Sequence, residues 1–290
     1  MDPVTALQRL GGVATYGELM GPTTRSALER AVREDRIVKP CRNRYALVDT
    51  DDQVRRAVAL GGVLSHLSAA LHHDWKVKFP PERMSITVPR SSRTPGADVE
   101  ARWADLPDHD VHRHVTRRVR TVTDCARVYD FDVALSVADS ALREGEVTRS
   151  ELVTAAELSP RTGRAKALKV AELASGKRAN PFESCLFAIA ITVPGLAVTP
   201  QGLVPGVGWV DLLDKHLGIV IEAESFEFHG TLDGLRRDVG RYNGCARRGL
   251  VVVRFTWDEV MFRPEDVRAA LVDVVQWRTD QAAGLHGLSA

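Results

Sequence analysis

The sequence contains little cysteine, and its cysteines do not form a metal-binding motif. Only four are present, Cys41, Cys125, Cys185 and Cys245, and no two of them are separated by two residues. A zinc ribbon requires such C-x-x-C pairs, so this class of metal site is excluded. Isolated cysteines are typical of free thiols in a reducing compartment, and we therefore expect a cytoplasmic protein.

Long hydrophobic runs and a strong charge bias are also absent. No stretch reaches the roughly eighteen apolar residues of a membrane-spanning helix, and no signal-peptide pattern is present, so we expect no membrane partner. The net charge of +1 gives no indication of nucleic-acid binding by itself. With 290 residues, 44% of them hydrophobic and 27% charged, the composition predicts a globular α+β multidomain protein.

The first fifty residues have the element order of a winged helix-turn-helix. Helices are predicted over residues 4–10 and 16–20, and Thr23 or Thr24 can cap a third helix. Residues 36–47 then predict a β-hairpin. We therefore assign residues 1–50 to a DNA-binding domain.

Basic side chains are concentrated in the third helix and the hairpin of this domain. Between Arg25 and Arg44, basic residues outnumber acidic residues by seven to three. Five arginines are predicted to contact the phosphates of duplex DNA, namely Arg25, Arg30, Arg33, Arg42 and Arg44. A domain used only for protein interaction or packing is the alternative. Residues 1–75 also resemble the N-terminal domain of AbiEi-type antitoxins and related actinobacterial regulators.

Residues 51–178 predict a mainly helical connector domain. Helical periodicity covers most of residues 121–173, and alternating patterns predict strands over 84–88 and 110–115. On the second of these strands, His112 and His114 would share one solvated basic face. A basic run over residues 161–178 fits either a path along a DNA backbone or a solvated helix.

In the C-terminal region, residues 179–290, acidic residues interrupt apolar strands. Apolar runs over residues 208–213, 218–224 and 250–255 alternate with one helix, which predicts a small α/β sheet. The first run carries Asp211 and the second carries Glu222. Because a buried charge is costly unless it is paired, and a divalent cation commonly pairs with converging carboxylates, we predict a metal site.

The order of these acidic residues resembles the PD-(D/E)xK nuclease superfamily. Glu183 near the start of a helix precedes Asp211 on a hairpin strand and the Glu222-Ala223-Glu224 sequence on the next strand. The continuation resembles the branch related to very short patch repair (Vsr-like) endonucleases. That continuation comprises His229, Asp238, Arg241, Gly249 and a strand over residues 251–255. The resemblance covers about residues 180–277 and implies a restriction-endonuclease-like fold.

The resemblance also implies a metal-dependent catalytic set. Mg²⁺ or Mn²⁺ would be held by Asp211, Glu222 and Glu183, and His229 would act as general base or acid. Glu224 stands where the superfamily has lysine, which puts a lysine-assisted, one-metal mechanism in doubt. A carboxylate there can instead bind a second cation or accept a proton.

Charged residues on the predicted helix after Glu224 complete this set. Arg237 and Arg241 lie one helical turn apart, on one face, where both can contact a phosphate. Asp238 would orient one of these arginines or His229.

Two functions follow from this pattern. The first is a metal-dependent DNA endonuclease, targeted by the winged helix and acting in DNA repair or phage defence. The second is a transcriptional regulator or type IV antitoxin-like protein whose nuclease-like fold is catalytically degenerate. The acidic residues favour the first function, whereas Glu224 and the antitoxin-like N-terminal region favour the second. The pattern leaves open whether the protein forms a homodimer.

Overall fold

The computed structural model describes residues 1–224 and 232–287, with side chains described for residues 1–224 and 239–282. This part of the chain contains helices and three separate sheets, which confirms the expected α+β class. In the same ranges, no helix is both long and apolar enough to cross a membrane.

The N-terminal unit combines three helices with a small antiparallel sheet. Its helices are α1 (Pro3–Arg9), α2 (Tyr16–Met20) and α3 (Arg25–Arg33). Its strands are β1 (Val13–Thr15), β2 (Ile37–Cys41) and β3 (Arg44–Leu47), in the order β1-β3-β2. Each helix begins at a side-chain cap, supplied by Asp2, Thr15 and Thr24 respectively. The predicted helices and hairpin are therefore confirmed.

A five-stranded sheet follows in the central region. Its strands are β4 (Val63–Leu64), β5 (Met84–Val88), β6 (Val99–Trp103), β7 (Val111–His112) and β8 (Val115–Thr116), in the order β6-β5-β4-β8-β7. Two helices, α4 (Asp52–Ala59) and α5 (His66–His72), precede most of these strands, and a 3₁₀ turn covers Asp108–Asp110. The predicted strand over 84–88 is confirmed.

The prediction of one strand over residues 110–115 is wrong. Arg113 and His114 have φ angles of 47° and 63°, so the chain reverses between β7 and β8. The ring of His114 helps to hold this turn, because its Nε2 lies 2.9 Å from the Val13 carbonyl oxygen of the N-terminal unit. His112 and His114 consequently do not share a strand face.

Four helices complete the central region, and a fifth begins the C-terminal region. They are α6 (Arg118–Val128), α7 (Phe131–Arg143), α8 (Arg149–Leu158), α9 (Arg164–Leu173) and α10 (Pro181–Ala190). The basic run over 161–178 is not uniformly exposed. Arg178 is completely buried against Asp139, with 2.5 Å between Arg178 Nε and Asp139 Oδ2, so it belongs to neither a DNA-facing nor a solvated surface.

The C-terminal sheet has four strands in the order β12-β11-β10-β9. They are β9 (Thr199–Val204), β10 (Gly208–Asp214), β11 (Ile219–Glu224) and β12 (Val251–Thr256). The strands β9, β10 and β11 are antiparallel neighbours, whereas β11 and β12 are parallel. The remaining helices are α11 (Leu232–Ala246), α12 (Trp257–Phe262) and α13 (Pro264–Gly287).

The two faces of the C-terminal sheet pack against different helices. Leu212 and Ile221 belong to a cluster that includes Leu186 of α10. Val220 belongs to a second cluster with Cys245 of α11. The first cluster also contains central residues such as Leu135 of α7, so apolar packing continues across the predicted boundary at residue 178. The proposed division into domains stays a prediction.

Candidate active site

A group of acidic side chains lies where strands β10 and β11 separate. Their antiparallel pairing runs from Asp214 with Ile219 to Leu212 with Ile221. Just beyond the last pair, Asp211 Oδ2 accepts a hydrogen bond of 2.9 Å from the Ala223 main-chain N–H. The carboxylate of one strand is thereby fixed against the backbone of the next.

Glu183 reaches the same place from helix α10. Its main-chain N–H donates to Asn180 Oδ1 at 3.0 Å, and its Oε2 accepts from Ala179 N–H at 3.0 Å, so the residue takes part in starting the helix. The same Oε2 accepts from Gln201 Nε2 at 3.2 Å, and this nitrogen lies 3.5 Å from Asp211 Oδ1. One amide group therefore connects the two carboxylates.

Gln201 holds this position with an unusual backbone. Its φ angle of 48° lies in the left-handed region, which a residue other than glycine adopts at a cost of roughly 1–3 kcal/mol. Residue type and spacing do not single out this glutamine, because its role depends on the backbone conformation within β9. Its neighbours Pro200 and Gly202 are the one local signal of an irregular strand.

Both linked carboxyl groups are poorly solvated. Burial raises the pKa of Glu183, and the neighbouring Asp211 raises it further. Burial also raises the pKa of Asp211, while the Ala223 N–H and the Arg241 charge act in the opposite direction. Two adjacent carboxylates whose ionised forms are disfavoured provide oxygen ligands of the kind that Mg²⁺ or Mn²⁺ prefers.

Glu222 is buried and bonded to an arginine. Its Oε1 accepts from Arg241 Nη2 at 2.5 Å, and the same nitrogen donates to the Trp209 carbonyl oxygen at 3.0 Å. The predicted phosphate-binding arginine thus contacts a predicted metal ligand. In the ranges 1–224 and 239–282, no three or more histidine, cysteine or acidic side chains are grouped as a ready-made metal site.

Glu224 contacts two residues that the sequence pattern does not identify. Its Oε2 lies 3.2 Å from the Tyr242 hydroxyl and 3.3 Å from Arg254 Nη1. The guanidinium of Arg254 also lies over the Tyr242 ring, 4.3 Å from its centroid. Arg254 thus brings positive charge next to the Glu224 carboxylate. Its one sequence signal is a charge within the apolar strand β12.

Three other predicted site residues have no described side chain. His229 lies outside the described residues. Arg237 and Asp238 belong to α11, but their side chains are outside the described part of the chain.

The N-terminal arginines differ in their exposure and pairing. Arg25 pairs with Glu29 at 2.7 Å, whereas Arg30, Arg33 and Arg42 are exposed. Arg44 on β3 is half-buried. Three of the five predicted DNA-contacting arginines are therefore exposed without an ion pair to another described residue.

Among solved structures, the chain has a distant match in a mycobacterial protein. No protein-family model matches the chain, and no curated protein matches it. The crystal structure of the RV2827C protein from Mycobacterium tuberculosis matches 63% of this chain and 78% of its own, with 15% sequence identity and a TM-score of 0.31. A likeness of this degree carries no argument about function.

Proposed function

We propose that the protein is a metal-dependent DNA endonuclease with a restriction-endonuclease-like C-terminal region and an N-terminal winged helix. The observation that supports this most is the link from Glu183 through Gln201 to Asp211, beside the pair of Glu222 and Arg241. Two poorly solvated carboxylates and an arginine in one place match the needs of phosphodiester hydrolysis, which are cation ligands and a cationic phosphate contact.

The acidic residues and Arg241 would have distinct roles. Asp211 and Glu183 would hold Mg²⁺ or Mn²⁺, joined by Glu222 when Arg241 moves from Glu222 to the scissile phosphate. When bound, the cation supplies neutralisation of phosphate charge and activation of water. Glu224, oriented by Tyr242 and Arg254, would accept a proton.

His229 is the alternative proton acceptor, with Asp238 orienting it and Arg237 adding a second phosphate contact. These three roles rest on the sequence resemblance alone. The winged helix would deliver duplex DNA to the acidic site.

The decisive experiment is cleavage of a supercoiled plasmid by the purified full-length protein. We expect nicked or linear plasmid with Mg²⁺ or Mn²⁺ and none with EDTA. Asp211→Asn should remove at least about 99% of the rate, which corresponds to ~2.7 kcal/mol of transition-state stabilisation. Asp273→Asn is the matched control, because Asp273 is an exposed carboxylate on α13, and it should cleave at the wild-type rate.

A regulator or antitoxin-like protein without nuclease activity is the second candidate. Its supporting observation is that Glu222 and Glu224 are each bonded to an arginine, so two of the acidic residues carry compensated charge. This candidate predicts salt-sensitive DNA binding that is equal in the wild type and Asp211→Asn, with no cleavage by either. Metal-dependent cleavage that Asp211→Asn abolishes would rule it out.

A further inference from the structure

A cleft of about 900 Å³ lies in the central region and shares no residue with the acidic site. It is formed by the end of α5, the β7–β8 hairpin, the start of α6 and the end of α8. Small-molecule sites in proteins have volumes of roughly 300–1,000 Å³, so this cleft is of suitable size.

Five arginines line the cleft together with four carboxylates, those of Asp74, Asp110, Asp124 and Glu146. Three of these arginines already have a partner in the protein. Arg118 forms an ion pair with Glu146 at 2.7 Å, Arg120 forms one with Asp110 at 2.9 Å, and Arg127 donates to the Thr162 carbonyl oxygen at 3.0 Å. Arg113 and Arg117 also line the cleft, and both are exposed. Neither has an ion pair with a carboxylate in the described ranges, so their donors remain available to an anion.

The hairpin that carries Arg113 is held in an unfavourable conformation. Tight two-residue turns with positive φ are normally built from glycine, asparagine or aspartate, but here they are built from Arg113 and His114. The His114 ring is anchored to the N-terminal unit through the Val13 carbonyl oxygen. A cationic side chain is thus held at the edge of the cleft at a cost in backbone energy, and such strain often accompanies a binding site.

The start of α6 adds to the attraction for an anion. Arg117 is the N-cap of this helix and provides no side-chain acceptor for the first-turn N–H groups. The positive end of the α6 dipole and the guanidinium of Arg117 therefore lie together at the cleft.

The residues that the end of α8 contributes to the cleft are largely apolar. Ala155, Leu158 and Pro160 lie at the end of α8, and Leu158 is 80% exposed. A single exposed leucine has no special meaning, but this one shares a cleft with arginines available to an anion. A ligand that combines an anionic group with a flat apolar group would be able to contact both the free arginines and these apolar residues.

We propose that this cleft binds a nucleoside phosphate. The phosphate would contact Arg113 of the β7–β8 hairpin and Arg117 at the start of α6, and the base would lie against Leu158. This site is independent of the acidic site in the C-terminal sheet, and its occupancy requires neither metal nor cleavage.

The test is the fluorescence anisotropy of ADP carrying an N-methylanthraniloyl group, titrated with the full-length protein. We expect saturable binding, displacement by ADP, and much weaker displacement by adenosine or inorganic phosphate. Arg117→Gln should weaken binding about tenfold or more, the usual effect of removing a charge-assisted phosphate interaction. Leu158→Ser should weaken it about threefold, because less apolar surface is covered.

Arg93→Gln is the matched control, since it removes an exposed arginine outside the cleft and should leave affinity unchanged. Arg117 and Leu158 are both exposed, and thermal melting of each variant confirms that it is folded. The proposal is overturned by an absence of saturable binding, or by equal reductions in affinity for Arg117→Gln and Arg93→Gln. Equal displacement by phosphate and ADP, or displacement by a short DNA duplex as effective as that by ADP, also overturns it.

Discussion

Asp211 and Glu183 are the residues through which the acidic site affects stability. The pKa of each is raised in the folded protein, chiefly by burial. A carboxyl group whose folded pKa exceeds its unfolded pKa binds more protons in the folded state, so the free energy of unfolding decreases as the pH rises through these pKa values. The cost is complete above the folded pKa values and is absent below the unfolded pKa.

Asp211→Asn should therefore stabilise the metal-free protein at neutral pH. Asparagine removes the charge but keeps an oxygen that can accept the Ala223 N–H. We expect a higher melting temperature than that of the wild type at pH 7 in EDTA, with the difference vanishing as the pH falls below about 4, near the usual carboxyl pKa. Melting curves across this range test the prediction, and a variant less stable at every pH would contradict it.

The same carboxylates should make stability depend on divalent cations. A ligand that binds only the folded state adds about 2.7 kcal/mol to the free energy of unfolding at one hundred times its dissociation constant. The melting temperature of the wild type should rise with Mg²⁺ or Mn²⁺, and that of Asp211→Asn should rise much less. Asp273→Asn should respond like the wild type. An equal response in all three proteins would mean that Asp211 holds no cation.

The predictability of the site differs from residue to residue. Asp211 and Glu222 are recognisable from the sequence because each places a charge within an apolar strand. Arg254 also places a charge within an apolar strand, but its contact with Glu224 depends on pairing between distant segments. Gln201 and Tyr242 are not recognisable, because their contacts depend on strand irregularity and on the rotation of α11. Beyond Pro200 and Gly202, which indicate the irregular strand at Gln201, the local sequence contains none of that information.

At the scale of secondary-structure elements, capping and turn residues predicted the N-terminal unit well. Thr24 begins α3, and the hairpin of β2 and β3 follows as expected. The failure over residues 110–115 has a tertiary cause, because the Arg113-His114 turn is supported by a contact with Val13, distant in the sequence. Alternating residues alone could not reveal this turn.

The exposed face of α3 and the β2–β3 hairpin lead to a prediction about DNA. Replacing Arg30, Arg33 and Arg42 together with glutamine should weaken binding to duplex DNA. The slope of log affinity against log salt should become shallower by about 0.9 for each phosphate that the variant no longer neutralises. Binding isotherms at several salt concentrations measure both effects.

A matched control is available within the same unit. Arg36 contacts Asp2 at 3.3 Å and Glu34 at 3.0 Å, so its charge is already compensated. Arg36→Gln should change the salt slope little. If the triple variant and Arg36→Gln bind DNA alike, α3 and the hairpin are not the DNA-binding surface.

At the scale of the whole molecule, the central helices and the C-terminal sheet share apolar packing. Sequence composition suggested a boundary near residue 178, because polar, glycine-containing segments usually separate domains. In the structure, a buried ion pair occupies that segment. Arg178 donates to both carboxylate oxygens of Asp139 on α7, and its guanidinium lies 4.2 Å from the centroid of the Phe187 ring on α10.

Asp139 connects further parts of the same junction. Its Oδ1 accepts from Ser175 N–H at 2.7 Å, and its Oδ2 accepts from Ser184 Oγ at 2.7 Å. The carboxylate therefore holds together α7, the segment before α10 and α10 itself. Because such a charge is stable in the interior only with its partner, disruption of the junction should destabilise both regions.

Arg178→Met should consequently destabilise the protein by about 3–5 kcal/mol, the usual cost of leaving one member of a buried ion pair without the other. Methionine retains an apolar side chain against Phe187 but supplies no donor to Asp139. Urea unfolding followed by tryptophan fluorescence and by far-ultraviolet circular dichroism measures the decrease in stability, and the two transitions should coincide because the regions share one core.

Arg161→Met, at an exposed arginine of the same basic run, should change the free energy of unfolding by less than about 0.5 kcal/mol. Equal effects of the two substitutions would contradict the role of Arg178, and separate transitions in the wild type would instead support independent units that meet near residue 178.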